Sequence, residues 1–338
     1  MPFSGRLLPV LDLTRRDFIT LLGGAAAWPL SARAQQAAMP VIGFLINVLP
    51  EGFRERLSGF RQGLRDGGYV EGENVAIEYR WAENQNDRLP SLAAELARRR
   101  VAVMVAGGPP ASLAAKAEAS TFPIVFVVGD DPVRLGLVAS LSHPGGNMTG
   151  INIVNLELAA KRLELLRQLI PKAARIAVLA NPAEAAATHT QSREVEAAAR
   201  SMGLQVQFHE ANSSKEIDAA FEAIGREKPD AVFVLTTPFF NGRRVQLVQL
   251  AAFHRIAAAY GLRDYAEAGG LMSYGSNIVE AYRQVGIYAG RILKGTRPAD
   301  LPVVQANKFE LIINAQTARM LGLTVPASLL ALADEVIE

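Results

Sequence analysis

"VAVMVAGGPPASLAAKAEASTFPIVFVVGDDP", residues 101–132, sets two short apolar runs on either side of a helical stretch. VAVMVAGG (101–108) has almost no polar residue to alternate with, so it reads as a strand covered on both faces, and PIVFVVG (123–129) reads the same way. PPASLAAKAEAS (109–120) opens on prolines, where a missing N–H costs a helix least, and continues in alanine and leucine. Two buried strands joined through a helix predict a parallel β-α-β unit.

The alternation extends in both directions. Upstream, PVIGFLI (40–46) and NVAIEYRW (74–81) read as strands. Phe53 to Asp66 reads as an amphipathic helix with Leu57, Phe60 and Leu64 on one face, stopped by Gly67-Gly68, and LPSLAAELARR (89–99) as a second helix. Downstream, RIAVLAN (175–181), LQVQFHEA (204–211), DAVFVLTT (230–237) and GGLMSYG (269–275) are strands; Thr190 to Met202, residues 213–228 and Arg243 to Tyr260 are the helices between them. Two copies of β-α-β-α-β-α-β predict an α/β protein of two doubly wound, Rossmann-like parallel-sheet lobes with an interdomain cleft. A further helix (276–294), a strand and helix (308–322) and a short apolar tail helix imply that the chain crosses between lobes more than once. The expected division is 39–149 plus 276–300 for the N-terminal lobe and 150–275 plus 305–338 for the C-terminal lobe. Crossings are expected near Thr149-Gly150, near Tyr274–Ser276 and around 300–308.

The chain has 338 residues, half of them hydrophobic, which is enough for two cores. It contains no cysteine, which excludes disulfides, thiolate metal sites and a cysteine nucleophile. Its four histidines, at 143, 189, 209 and 254, are scattered, so no metal site is expected. TRRDFITLLGGAAAWPLSARAQQ (14–36) has paired arginines, an apolar run of about a dozen residues where a membrane span needs about 20, and small residues Ala32 and Ala34 at a cleavage position. This predicts an export signal over residues 1–34, cleaved after Ala34, and a periplasmic protein. Arg15 and Arg16, followed by Asp-Phe-Ile, resemble the twin-arginine class of signal. Of the 35 basic and 33 acidic residues, the signal holds four and two, leaving 31 of each in the mature chain. A neutral mature protein speaks against a nucleic-acid partner.

Ligands of parallel α/β sheets bind beyond the carboxyl ends of the strands. The residues there are Asn47, the loop of Gly108, Pro109, Ala111 and Ser112, then Asp130-Asp131, Asn181, Thr236-Thr237 and Tyr274. No dinucleotide glycine pattern, phosphate loop or nucleophile elbow appears, and no histidine completes a hydrolase triad. No catalytic residue and no cofactor are expected. The GGPPAS turn reads either as an anion site, with backbone N–H groups at a positive helix end, or as a tight strand-to-helix turn. Tyr274 reads either as a ring stacking on a ligand or as a half-buried core tyrosine, and Phe239-Phe240 either as a loop pair with one ring lining the cleft or as a pair capping a core.

Four phrases carry a family resemblance: FRQGLRDGGYVEGENVAIEYRWAENQNDRLPSLAAELARRRVAV, PIVFVVGDDPVRLGLVASLSHPGGNMTG, AAKRLELLRQLIPKAARIAVLANP and FELIINAQTARMLGLTVP. Over residues 39–330 the chain resembles the ABC-transporter substrate-binding proteins of the tryptophan/tyrosine-uptake type, with a type I periplasmic-binding-protein-like fold. A monomer is expected. The resemblance implies a protein without catalysis, whose lobes close on an aromatic amino acid or other small carboxylate and deliver it to an inner-membrane ABC permease. It implies a ligand carboxylate at Gly108 to Ser112, with Asp130-Asp131, Asn181, Thr236-Thr237 and Tyr274 at the other cleft positions. Where many members have Thr-Asp-Asn, this chain has Thr236-Thr237-Pro238, without the carboxylate that could hold a ligand ammonium. An exported enzyme using the same cleft, or an effector-binding sensor or regulator domain of the same fold, is the alternative reading.

Overall fold

The first sheet is built from β1 (Val41–Ile46), β2 (Ala76–Trp81), β3 (Val103–Gly107), β4 (Ile124–Val128), β5 (Met148–Ile153) and β11 (Val304–Ala306). Its order is β11-β5-β4-β3-β1-β2, every neighbouring pair parallel. The second sheet takes β6 (Arg175–Ala180), β7 (Gln205–Glu210), β8 (Ala231–Val234), β9 (Ala258–Tyr260), β10 (Met272–Ser276), β12 (Phe309–Asn314) and β13 (Glu335–Ile337), in the order β13-β12-β10-β9-β8-β6-β7. The computed structural model describes residues 39–50, 53–118, 122–153 and 158–338. The expected export signal, with Arg15, Arg16, Ala32 and Ala34, lies outside them.

Each sheet is covered on both faces, as its unbroken apolar strands require: β3 and β4 are buried at every position. On one face of the first sheet lie α1 (Arg54–Asp66) and α10 (Ile278–Leu293), over Phe44, Val103 and Val125; on the other lie α2 (Leu89–Arg98) and α3 (Pro109–Ala117), over Leu45, Met104 and Phe126. The second sheet is enclosed by α4 (Ala159–Leu169) and α5 (Ala185–Met202) on one side. On its other side are α6 (Ser214–Glu227), α7 (Pro238–Gly242), α8 (Arg244–Phe253) and α9 (Arg263–Glu267). Two short helices, α11 (Ala315–Met320) and α12 (Ala327–Leu332), close the chain. At the start of α6 the N-cap Ser213 Oγ accepts from Glu216 N–H, while the Glu216 carboxylate accepts from Asn212 N–H. No described helix is long and apolar enough to cross a membrane.

The boundaries differ from expectation in four places. The first sheet extends to Ile153, so Thr149-Gly150 lies inside a strand and not at a crossing. The polar residues that hide this strand in the sequence are satisfied by backbone carbonyls around it: Thr149 Oγ1 donates to Leu301 O, and Asn152 Nδ2 to Val128 O and Asp130 O. The last crossing follows Ala306, because β11 pairs with β5 in the first lobe, so residues 305–306 do not belong to the second. The helix expected from Arg243 to Tyr260 is instead α8 followed by β9. It ends near His254 with Arg255 at φ +54°, and the alanines of β9, strong helix formers by propensity, sit buried in the sheet. Finally, β12 runs antiparallel to β10, since it re-enters the second lobe at the end where β10 leaves, and the tail adds β13.

Candidate functional site

Arg56, in the first turn of α1 just beyond β1, pairs with Asp264 in α9, just beyond β9. This 2.5 Å ion pair joins the carboxyl ends of the two sheets, so these ends face each other and the strand-end loops line the cleft.

In the first lobe the loops separate into turn-builders and free groups. Ser112 is fully buried; its hydroxyl donates to Gly108 O at 2.8 Å, so it closes the first turn of α3 and does not reach into the cleft. Pro109 and the exposed Pro110 have no N–H, Gly108 N–H donates to Val127 O, and Ser112 N–H to Gly108 O. The expected nest of amides therefore shrinks to the N–H of buried Ala111. Asp131 is exposed, and its Oδ1 caps the following turn by accepting from Val133 and Arg134 N–H. Asp130 is half-buried, and burial raises its carboxyl above the usual range, helped by the charge of Glu184 on the opposite lobe and opposed by Arg134. Asn47 anchors Asn84 N–H through its carbonyl, while its Oδ1 is buried without a hydrogen-bond partner among the described residues.

In the second lobe Asn181 is buried and holds its own turn, its Nδ2 donating to Glu184 and its Oδ1 accepting from Ala183 N–H. Thr237 is fully buried and caps α7 by accepting from Phe240 N–H. Thr236 differs: Gln191 clamps its backbone, accepting its N–H at 2.8 Å and donating to its carbonyl at 2.9 Å. The Thr236 hydroxyl is buried with no partner among the described residues. Tyr274 is half-buried, its ring tilted against Phe309 with centroids 6.3 Å apart.

Below Tyr274 is a residue the strand-end reading missed. Arg162 of α4 is fully buried, donates through Nε to Tyr274 O at 3.0 Å, and lies over the Phe233 ring at 5.4 Å. Neither Nη1 nor Nη2 has a hydrogen-bond partner among the described residues. Burial pulls its basicity down to about 10, against the support of Tyr265, Glu194 and Tyr274, so it stays charged near neutrality. A sequence signal existed: Ala159, Leu163 and Leu166 define the buried stripe of α4, and Arg162 stands in that stripe where an apolar residue belongs.

A cavity of about 390 Å3 also opens between the lobes, lined by Arg54, Arg56, Arg244, Arg263, Asp264 and Glu310 among others, and none of the strand-end residues lines it. Among the described residues no group of three metal-ligating side chains converges.

The geometry agrees with known proteins. The chain is 27% identical over 266 residues to a tyrosine-binding protein of Clostridioides difficile, covering 78% of this chain and 76% of that one. It resembles the structure of an ABC domain in complex with L-Trp from Streptococcus pneumoniae, with TM-score 0.78, 26% identity, and coverage of 89% of this chain and all of the other. It also resembles a ligand-free, open substrate-binding protein with adhesive properties from Clostridium difficile, with TM-score 0.69, 26% identity, and coverage of 88% and 99%. The family of ABC transporter substrate binding proteins matches residues 42–337, nearly the whole described chain, and this chain belongs to that family, which is one of binding proteins and not of enzymes.

Proposed function

We propose that the protein is exported through the twin-arginine route and works in the periplasm as a monomer. There it captures a small organic carboxylate, of the aromatic amino acid type, between its lobes and delivers it to an inner-membrane permease. The observation that carries this reading is the pair of strand-end rows facing each other across a cleft in a member of this family. The relatives named for tyrosine and L-Trp support the ligand class. The proposed lining is Asn47, Gly108, Pro109, Ala111 and Asp130 from the first lobe and Thr236 and Tyr274 from the second; Ser112, Asp131, Asn181 and Thr237 shape the loops from behind. We assign the ligand ammonium to Asp130, whose carboxyl feels the charge of Glu184 on the opposite lobe, in the part of the carboxylate missing from Thr236-Thr237-Pro238.

The test is a thermal-shift screen of the mature chain against L-tryptophan, L-tyrosine, the other amino acids, aromatic acids and short carboxylates. A ligand present at 100 times its Kd adds about 2.7 kcal/mol of apparent stability. No shift with any of these compounds would refute the ligand class. Undiminished periplasmic protein after replacing Arg15 and Arg16 by lysine would refute the export route.

A further inference from the structure

We infer that Arg162 and Thr236 form an anion-binding end of the second lobe, which receives the carboxylate of a monoanionic ligand on the Arg162 guanidinium. The inference rests on the cleft being the ligand site and moves the anion from the GGPPAS turn, where prolines have removed most of the donors, to the opposite lobe.

The position of the guanidinium supports this. Arg162 lies in the first turn of α4, which enters the second lobe directly from the first crossing. Its Nε is tied to Tyr274 O, and Tyr274 stands one residue past Ser273, which pairs with Tyr260 at the end of β9. The guanidinium therefore lies under the last row of the sheet, at the edge that faces the first lobe. Gly261 occupies the next position of β9's chain and touches both groups: a Cβ there would fall 1.9 Å from Thr236 Oγ1 and 3.0 Å from Arg162 Nη2, so only glycine lets the hydroxyl and the guanidinium stand this close together.

The chemistry supports it as well. A buried guanidinium has five N–H donors in a rigid fork, and the fork matches a carboxylate in two parallel hydrogen bonds. Here one nitrogen is satisfied and the two terminal ones are not, while a hydroxyl beside them also lacks a partner. Leaving a charge in that condition is costly, and a group with no function would be replaced by an apolar residue without loss of packing over Phe233. A bound carboxylate accepts from Nη1 and Nη2 and from the Thr236 hydroxyl, and it neutralises the charge. The Gln191 clamp on the Thr236 backbone fixes that hydroxyl in place.

The experiment uses Arg162→Met, which keeps the straight stem over Phe233, together with Arg162→Lys. Calorimetry and thermal shift measure L-tryptophan, its primary amide L-tryptophanamide, indole-3-acetate and sodium acetate at constant ionic strength on all three proteins. The expected result is that wild type prefers the acids over the amide. Arg162→Met should weaken the acids by about tenfold to a hundredfold, the range of a hydrogen bond to a charged group, with Arg162→Lys between them. The amide should be indifferent to the substitution. If the acids bind Arg162→Met as they bind wild type, or if acid and amide weaken together, the inference fails while the cleft reading survives. If none of the four compounds shifts wild type, the carboxylate assignment fails, and the cleft reading then stands or falls on the wider amino-acid screen.

Discussion

Glu310 shows what burial near the crossings does to a single residue. It lies in β12 opposite Gly275, accepts from Asn277 Nδ2 at 2.9 Å, and has Arg263 at 3.8 Å. Burial pushes its carboxyl up to about 7 against the pull of Arg263, and Asp334, Glu267 and Glu335 add to the rise. A carboxyl whose folded pKa stands above its unfolded value of 4.5 makes the folded chain bind the extra proton between those two pH values. Its contribution is therefore favourable at low pH and is lost as pH rises from about 4.5 through 7. Glu310→Gln keeps an acceptor for Asn277 and removes the titration. From pH 5 to pH 8 the wild type should lose about 1–3 kcal/mol relative to this variant in denaturant titrations, and parallel pH profiles would contradict the assignment. At this scale the sequence located the strand ends but not the direction of their side chains. Serine and threonine at strand ends are good hydrogen-bonding groups, which makes Ser112 and Thr237 read as ligand contacts in the sequence. The same property lets them close their own turns, and which of the two happens depends on burial. Arg162 is hidden for the opposite reason: it lies inside a helix, away from the strand ends where ligands of such sheets bind.

Among the elements, α1 and α10 are held together through glycines. A Cβ on Gly63 would fall 1.9 Å from Arg283 O, and one on Gly286 would fall 2.1 Å from Phe60 O, so the two helices touch backbone to backbone. This contact fastens the segment that returns from the second lobe onto the first sheet, and Arg283 adds ion pairs to Asp66 and Glu280 at its rim. Gly286→Ala gains helix propensity of about 1 kcal/mol but must push the helices apart, at an overpacking cost of about 1–3 kcal/mol or more because the obstacle is backbone. The variant should unfold at lower denaturant than wild type, while an alanine at exposed Gly242, where a Cβ meets nothing, should not. An unchanged midpoint for Gly286→Ala would show that the helices can separate freely. The helices and most strands were legible from period and punctuation. The strand β9 was not, because three buried residues of alanine and tyrosine following a helix carry no period of their own. The glycine pairing of α1 with α10 was also invisible, since the two helices are more than two hundred residues apart and nothing in one segment names its partner.

For the whole molecule the decisive equilibrium is the opening and closing of the two lobes, and a ligand shifts it only through contacts it makes in one state and not the other. Arg56–Asp264 is a contact between the lobes that the protein itself supplies, and opening of the cleft is expected to break it. Both side chains are about one-quarter exposed or less, and Arg56 also lies over the Phe53 ring at 5.4 Å, which holds its head toward α9. A partly exposed pair contributes about 0.2–1 kcal/mol, and that amount changes the ratio of closed to open forms by up to about fivefold. The clasp is too weak to shut an empty cleft permanently, but it lowers the work a ligand must do to close it. Asp264→Asn leaves the ligand-contacting loops intact. It should enlarge the ligand-free radius of gyration in solution scattering and weaken ligand binding by about two- to fivefold. Salt should reproduce both effects in wild type by screening the pair and should have less influence on the variant. An Asp264→Asn protein with wild-type dimensions and wild-type affinity at low salt would mean that the pair decorates the cleft without bearing on its closure.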